Sequence, residues 1–187
     1  MDDPDIDTPD RPADRPITVR VEPVRREWAD ALASGDQSFE DRVGIRVEPG
    51  WAGFPEAIPA ILESARRHDA DPWGSHLIFA DGILVGLGGF KGAPVDGAVE
   101  LGYAVAPSWQ RRGVATAATI QMVAMAEAAG VRTVVAHTLA EPNASTTVLQ
   151  RVGFVNVGTV VEHDEGRDVT VWRWELSLDD PKAEDTP

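Results

Sequence analysis

One stretch, Val99 to Ala129, restricts what this chain can fold into: VELGYAVAPSWQRRGVATAATIQMVAMAEAA. Val99, Leu101, Tyr103 and Val105 recur at every second position, as one face of a buried strand does. Pro107 ends that strand because it has no N–H to give the ladder. From Val114 onward the residues are mostly strong helix formers, with Ile120, Val123 and Met125 expected on or near the apolar face, and Gly130 stops the helix. TVVAHTL, Thr133 to Leu139, reads as the next strand. A strand, a helix and a second strand in this order form a crossover, so the two strands are expected to run parallel. Between strand and helix lies Gln110-Arg111-Arg112-Gly113-Val114-Ala115. Gly113 and the small Ala115 let a ligand approach the backbone, and a helix start carries N–H groups without intrahelical partners. Together with the helix dipole they suit a phosphate or pyrophosphate, and Arg111 and Arg112 add positive charge.

The remaining elements follow from pattern. Ile17 to Glu22 alternates as a first strand, and Arg25 to Ala33 reads as a short helix. Phe39 to Val47 mixes periods. Glu56 to Arg67 reads as a second helix with Pro59 tolerated in its first turn. His76–Ala80 and Ile83–Phe90 flank Asp81-Gly82, a strong two-residue hairpin signal, and Gly86, Gly88 and Gly89 imply close packing or a bulge in the second arm. Ala144 to Arg151 is a short helix, and Val155–Val161 and Val169–Leu176 pair around a turn near Gly166. The sum is an α/β (α+β) fold with a mixed, mainly antiparallel sheet flanked by helices.

Charge is unevenly spread. The formal net charge is -14 for 187 residues, and residues 1–16 contribute six Asp against two Arg, while residues 179–187 contribute four acids against one Lys. Both ends are rich in Asp and Pro and poor in apolar residues, so 1–16 and 179–187 are expected to be disordered tails around one domain, 17–178. The acidic balance argues against nucleic acid, the absence of cysteine removes disulfides and thiolate chemistry, and no apolar run is long enough to span a membrane. The acidic N-terminus is opposite in charge to a signal peptide, which makes the cytoplasm the expected compartment.

QRRGVA after YAVAPSW resembles the acyl-CoA loop, Q/R-x-x-G-x-G/A, of the GCN5-related N-acetyltransferases (GNAT). A second segment, AHTLAEPNASTTVLQRVGF from Ala136 to Phe154, resembles the second block of the same family, closest to the branch of the ribosomal-protein N-terminal acetyltransferases. The matching positions are Asn143, Ser145, Val148, Leu149, Gly153 and Phe154. The resemblance covers residues 76–160 and implies the acyl-CoA N-acyltransferase fold with acetyl-CoA as cosubstrate. It implies a cofactor site made of Tyr103, Ala104 and Val105 on the strand, Arg111, Arg112, Gly113, Val114, Ala115 and Thr116 at the loop and helix start, and Asn143 and Ser145 beyond. Asn143 is also suited to cap the short helix after it. Many relatives carry a Tyr able to protonate the leaving thiolate where this chain has Leu149. A thiolate of ordinary pKa, ~8.5, leaves without a dedicated acid.

Acetyl transfer to an amine needs a neutral amine, a polarised thioester carbonyl and an in-line approach. Glu100 is the expected base, since burial in the central strand raises a carboxyl pKa, and His137 on the neighbouring strand is the alternative. Trp51 and Trp73, in loops beside prolines, are candidates for an acceptor pocket, with core plugs under loops the commoner role of such residues. No histidine spacing points to a metal. The expected partners are acetyl-CoA and an amine acceptor, a cationic small molecule or a protein N-terminus, with a homodimer compatible. A second class is an acyl-CoA-binding sensor or scaffold of the same fold without turnover: the missing Tyr favours it, whereas Glu100 and the intact QRRGVA favour an enzyme.

Overall fold

A computed structural model describes residues 15–53, 55–164 and 167–178. Its first strand, β1 (Val19–Pro23), leads into helices α1 (Arg26–Leu32) and α2 (Asp36–Val43). A 3-10 turn, Pro55–Ala57, precedes α3 (Ile58–Arg67). Then come β2 (Ser75–Ala80), β3 (Ile83–Phe90), β4 (Ala98–Val105), α4 (Val114–Ala128), β5 (Thr133–Leu139), α5 (Ala144–Val152), β6 (Val155–Asp164) and β7 (Arg167–Ser177). The seven strands form one sheet in the order β1-β2-β3-β4-β5-β7-β6. Every neighbouring pair is antiparallel except β4 and β5, the two joined by the α4 crossover. The expected tails lie almost wholly outside the described residues.

Side-chain alternation sorts the core into two layers. Ile78, Val85, Val99, Leu101, Val105 and Val134 pack toward α4 with Ala118, Met122 and Ala126. Leu77, Phe79 and Leu84 point the other way, under Trp28, Ala29 and Leu32 of α1, Phe39 of α2 and Leu62 of α3. Alternation on β2 and β3 feeds both layers, as a sheet covered on both faces requires. A register shift between Ile78 and Phe79 leaves Val85 as an extra residue in the second arm, where a bulge is one of the two expectations. The β2–β3 turn has Asp81 at φ 49° and Gly82 at φ 80°, the two positive values that a tight hairpin turn asks for.

The mixed period of Phe39–Val47 has a structural cause, and two other local expectations are corrected. α2 ends on Gly44 in the left-handed conformation, and Val47 then forms a parallel bridge to Leu84. A helix end followed by a strand-like contact gives the mixed period. The Glu56–Arg67 helix begins as a 3-10 turn before α3. On α4 the buried positions are Val114, Ala118, Thr119, Met122 and Ala126, whereas Ile120 is 52% exposed. The small alanines allow the helix to sit close against the sheet, which turns Ile120 outward.

Candidate functional site

The site begins where β4 and β5 part. Their parallel ladder runs from Ala98/Thr133 only to Glu100/Val135. Beyond it β4 continues to Val105 beside β3, while β5 continues to Leu139 beside β7. The Lys91 N–H bonds the Glu100 carbonyl and the Ala106 N–H bonds the Val85 carbonyl, so the even-numbered β4 residues are those bonded toward β3. Alternation along an antiparallel strand then turns the N–H and C=O groups of Tyr103 and Val105 into the gap. The Val105 carbonyl there accepts from Gln110 Nε2 at 3.0 Å.

Gln110 to Thr116 closes one end of the gap. Arg111 has φ 57° and Gly113, the N-cap of α4, has φ 81°, so the chain turns sharply into the helix. The first intrahelical bond is Ala117 N–H to the Gly113 carbonyl at 3.0 Å, which leaves the N–H groups of Val114, Ala115 and Thr116 at the helix mouth. No side chain caps them. A cleft of about 460 Å³ lies over this mouth, with Val148 and Arg151 of α5 on its far wall. Arg111 lines it, whereas the Arg112 guanidinium stacks 5.3 Å from the Trp109 ring centre and is not part of the lining. Backbone donors, a helix dipole and two arginines fit a pyrophosphate.

The cleft continues through the sheet. A second cavity of about 420 Å³ shares Val105, Gln110, Ala115, Ala144 and Val148 with the first, and adds Tyr103, Ala104 and Ser145. A third, of about 370 Å³, shares Tyr103 and Ala104 with the second and opens on the α1–α3 side at Gly102 and Lys91. Tyr103 stands at the junction, its hydroxyl directed to the Ser145 carbonyl at 3.4 Å. Burial pushes its phenol up to about 12, so it stays protonated.

Asn143 is committed to the helix it precedes. Its side chain accepts from the Thr146 N–H at 3.1 Å, Thr146 Oγ1 accepts from the Asn143 N–H in return, and Asn143 Nδ2 donates to the Glu141 carbonyl. The structure shows the cap, which is compatible with the second role that the resemblance implies for Asn143. Leu149, where relatives carry Tyr, is buried in the α4 layer, while its neighbour Val148 faces the cleft.

Glu100 points to the α1–α3 side and sits in a polar cluster. The Lys91 ammonium contacts its carboxylate, and His137 Nδ1 lies 2.9 Å from Glu100 Oε1 and 3.1 Å from Glu162 Oε1. Both partners are acceptors, so Nδ1 carries the hydrogen. His137 Nε2 is then buried without a hydrogen-bond partner among the described residues. The expected upward shift of Glu100 is corrected: burial does push its carboxyl up, but hydrogen bonds and charge from Lys91 and His137 outweigh it and hold it below the usual carboxylate range. Potential ligand atoms of Glu100, His137 and Glu162 lie within 4.8 Å of one another. The same groups are those engaged in the hydrogen bonds and ion pair just described.

Trp51 and Trp73 stand apart from these cavities. Trp51 is 5% exposed, packed in the α1–α3 layer with Nε1 toward Asp36, and Trp73 packs edge-on against Phe90 at 5.2 Å. Both are plugs. Lys91, Gly102, Arg151 and the pairing of Glu162 with His137 escape sequence reasoning. Arg151, three residues before Phe154 in the second motif, was findable as a cation on the cleft side of a short helix; the others come together only through strand order.

The model of the acetyltransferase (GNAT) domain matches residues 19–155. The chain belongs to the GNAT family. No curated protein matches it. The fold has many solved counterparts. One is the ribosomal-protein-S5-alanine acetyltransferase of Vibrio fischeri, at 16% identity and a TM-score of 0.61, covering 87% of this chain and 94% of that one. Mycobacterium smegmatis RimJ, solved with CoA-disulfide, aligns at 21% identity and a TM-score of 0.61, covering 85% and 81%. The Salmonella typhimurium protein yncA, solved with its cofactor acetyl-CoA, aligns at 18% identity and a TM-score of 0.61, covering 92% and 100%. Ribosomal-protein acetyltransferases are thus among the fold's neighbours, as the second motif implies. No helix among the described residues is long and apolar enough to cross a membrane.

Proposed function

We propose that this GNAT domain transfers the acetyl group of acetyl-CoA directly to a primary amine. One observation carries it: three cavities, each sharing lining residues with the next, lie at the α4 mouth, at the gap between β4 and β5, and on the opposite face. A cosubstrate with an anionic end and a long amide-bearing arm suits the first two, and an acceptor suits the third. That relatives of this fold were solved with acetyl-CoA or CoA supports the donor.

In this reading the pyrophosphate rests on the Val114–Thr116 N–H groups with Arg111 and Arg151 beside it. The arm bonds the backbone of Tyr103 and Val105 in the gap, and the Val105 N–H polarises the thioester carbonyl. Glu100 is four residues along β4 from Ala104, about 13 Å at strand rise. The proton of the incoming ammonium therefore reaches Glu100 through water in the acceptor cavity, and the Glu100–His137–Glu162 cluster receives it. The amine nitrogen bonds the acetyl carbon, the C–S bond breaks with its electron pair going to sulfur, and the thiolate takes the second amine proton. The acidic carboxylates of the cluster separate this reading from a binding module without turnover. The experiment is steady-state release of CoA thiol from acetyl-CoA in the presence of amines. Amine-dependent release supports transfer; tight acetyl-CoA binding with no release from any amine assigns the chain to the binding class.

A further inference from the structure

On the α1–α3 side of the sheet, β4 presents Glu100, Gly102 and Ala104. Register sets Gly102 opposite Gly89 and Ala104 opposite Leu87, with Lys91 beside Glu100. Two facing glycines leave a bare floor between a charged pair and an apolar pair, and the cavity of about 370 Å³ lies over it. Apolar side chains of Ala52, Ile61 and Leu87 wall it, with Ser75 at its edge. Lys91 is the one charged residue of the lining, and its ammonium is already on Glu100.

The two glycines have different causes. Gly89 has φ 131°, and a Cβ there would run into the Gly74 carbonyl, so its backbone demands glycine. Gly102 has no left-handed φ, and a Cβ there meets nothing within 4 Å. Glycine weakens a strand relative to almost any other residue. Packing does not ask for it at 102. What its missing side chain provides is room above the strand, two residues from the point where the acceptor cavity meets the donor passage.

We infer that Gly102 sets the acceptor class: a primary amine on a compact apolar body, whose carbon skeleton lies across Gly102 with the amine toward Ala104. This rests on the transfer reading above. A polyamine fits poorly, because its second ammonium would be buried between apolar walls whose single charge is a lysine, and an unpaired buried charge is costly. Glu100 cannot answer it without giving up Lys91, and Glu162 is engaged by His137. The same chemistry is offered by a free aliphatic or arylalkyl amine and by a peptide N-terminus with an apolar first side chain.

The test measures CoA thiol release with methylamine, phenethylamine, spermidine and a short peptide beginning with Leu, on the full chain and on Gly102→Val, with acetyl-CoA affinity measured by calorimetry. The expected result is a higher kcat/KM for phenethylamine or the Leu peptide than for methylamine or spermidine; the better of the two identifies the source. In Gly102→Val, acetyl-CoA affinity holds while the ratio of kcat/KM for that acceptor over methylamine falls about tenfold or more, the scale of a filled apolar subsite. If the valine variant does not fold, Gly102→Ala moves the same ratio in the same direction. A preference for spermidine, or a ratio unmoved by a folded substitution, overturns the assignment while leaving acetyl transfer intact. Acetyl-CoA binding without thiol release from any of the four amines overturns the transfer reading and this inference with it.

Discussion

Gly113 is the position where donor binding is most directly exposed to a single side chain. Its φ of 81° means that any other residue there is strained, yet a Cβ at this point meets nothing within 4 Å. Gly113→Val therefore folds, at a cost of about 1–2 kcal/mol for a non-glycine residue in the left-handed region. For a chain of this size that lowers Tm by about 2–8 °C. The larger effect falls on binding, since a branched side chain at the N-cap stands between the pyrophosphate and the Val114–Thr116 N–H groups. Charge-assisted hydrogen bonds are worth about 1.5–3 kcal/mol each. Losing two of the three weakens acetyl-CoA by about 10²–10⁴-fold. Gly113→Ala separates the two effects, because it carries the same strain with a smaller side chain. Isothermal titration of both variants with acetyl-CoA, beside their melting curves, is the assay. The alanine variant is expected to match the valine variant in lost Tm but to bind much better. A folded Gly113→Val protein with undiminished acetyl-CoA affinity refutes the assignment of the pyrophosphate to this helix mouth.

Glu100→Gln keeps the shape and removes the proton acceptor, so kcat/KM should fall about 10²–10⁴-fold with acetyl-CoA affinity retained. Because Lys91 and His137 hold Glu100 below the usual carboxylate range, it loses its charge only in more acid solution; an acid limb near neutrality in kcat/KM should therefore shift when the acceptor amine is changed, and a limb that stays fixed transfers the role to His137. By the same sign, the stability Glu100 contributes is present above the ordinary carboxylate pKa and is lost as pH falls through the lowered one, so the acid loss of Tm should be smaller in Glu100→Gln. Asn143→Ala removes the cap of α5 and should cost about 1 kcal/mol in urea denaturation while changing acetyl-CoA affinity little; a large loss of affinity at unchanged stability places Asn143 in the cofactor site. Residues 17–178 alone should melt within a degree or so of the full chain, since Ile17 and Leu178 already pack on the core at the two limits; a drop of several degrees in calorimetry shows that an acidic end docks.

The donor half of the site was legible because it is local. Pro107, Gly113 and the run of helix formers after it encode strand, turn and helix within fifteen or so residues, and the N–H groups at the mouth follow from that order alone. The acceptor half was not. Lys91, Glu100, His137 and Glu162 come from four different places in the chain, and only the order β3-β4-β5-β7-β6 brings them to one face. Glu100 could be picked out as a buried strand carboxylate, but the sign of its shift depends on neighbours that sequence spacing does not announce. The face of α4 failed for another reason. A helix that is apolar nearly all round has no periodic contrast to read, and which side is buried is decided by how closely alanines let it approach the sheet.

The short ladder between β4 and β5 also has a mechanical side. Among the described residues the ladder between the half-sheet β1–β4 and the half-sheet β5–β7–β6 is three residue pairs long, with the Arg132 and Thr133 N–H groups bonding the Gly97 carbonyl at its start. Past them the two halves are held by side chains: α4 and the α4–α5 contact on one face, and the Glu100–His137–Glu162 cluster on the other. A molecule threaded through that seam acts as a rivet: it replaces the missing ladder with its own amides and joins the free edge of β4 to the far half. Ligand affinity is then spent on tightening the seam, and at a hundredfold excess over Kd such binding adds about 2.7 kcal/mol to the stability of the whole domain. If acetyl-CoA takes the path proposed above, its binding should therefore raise the melting temperature of the whole domain and not of one half-sheet alone.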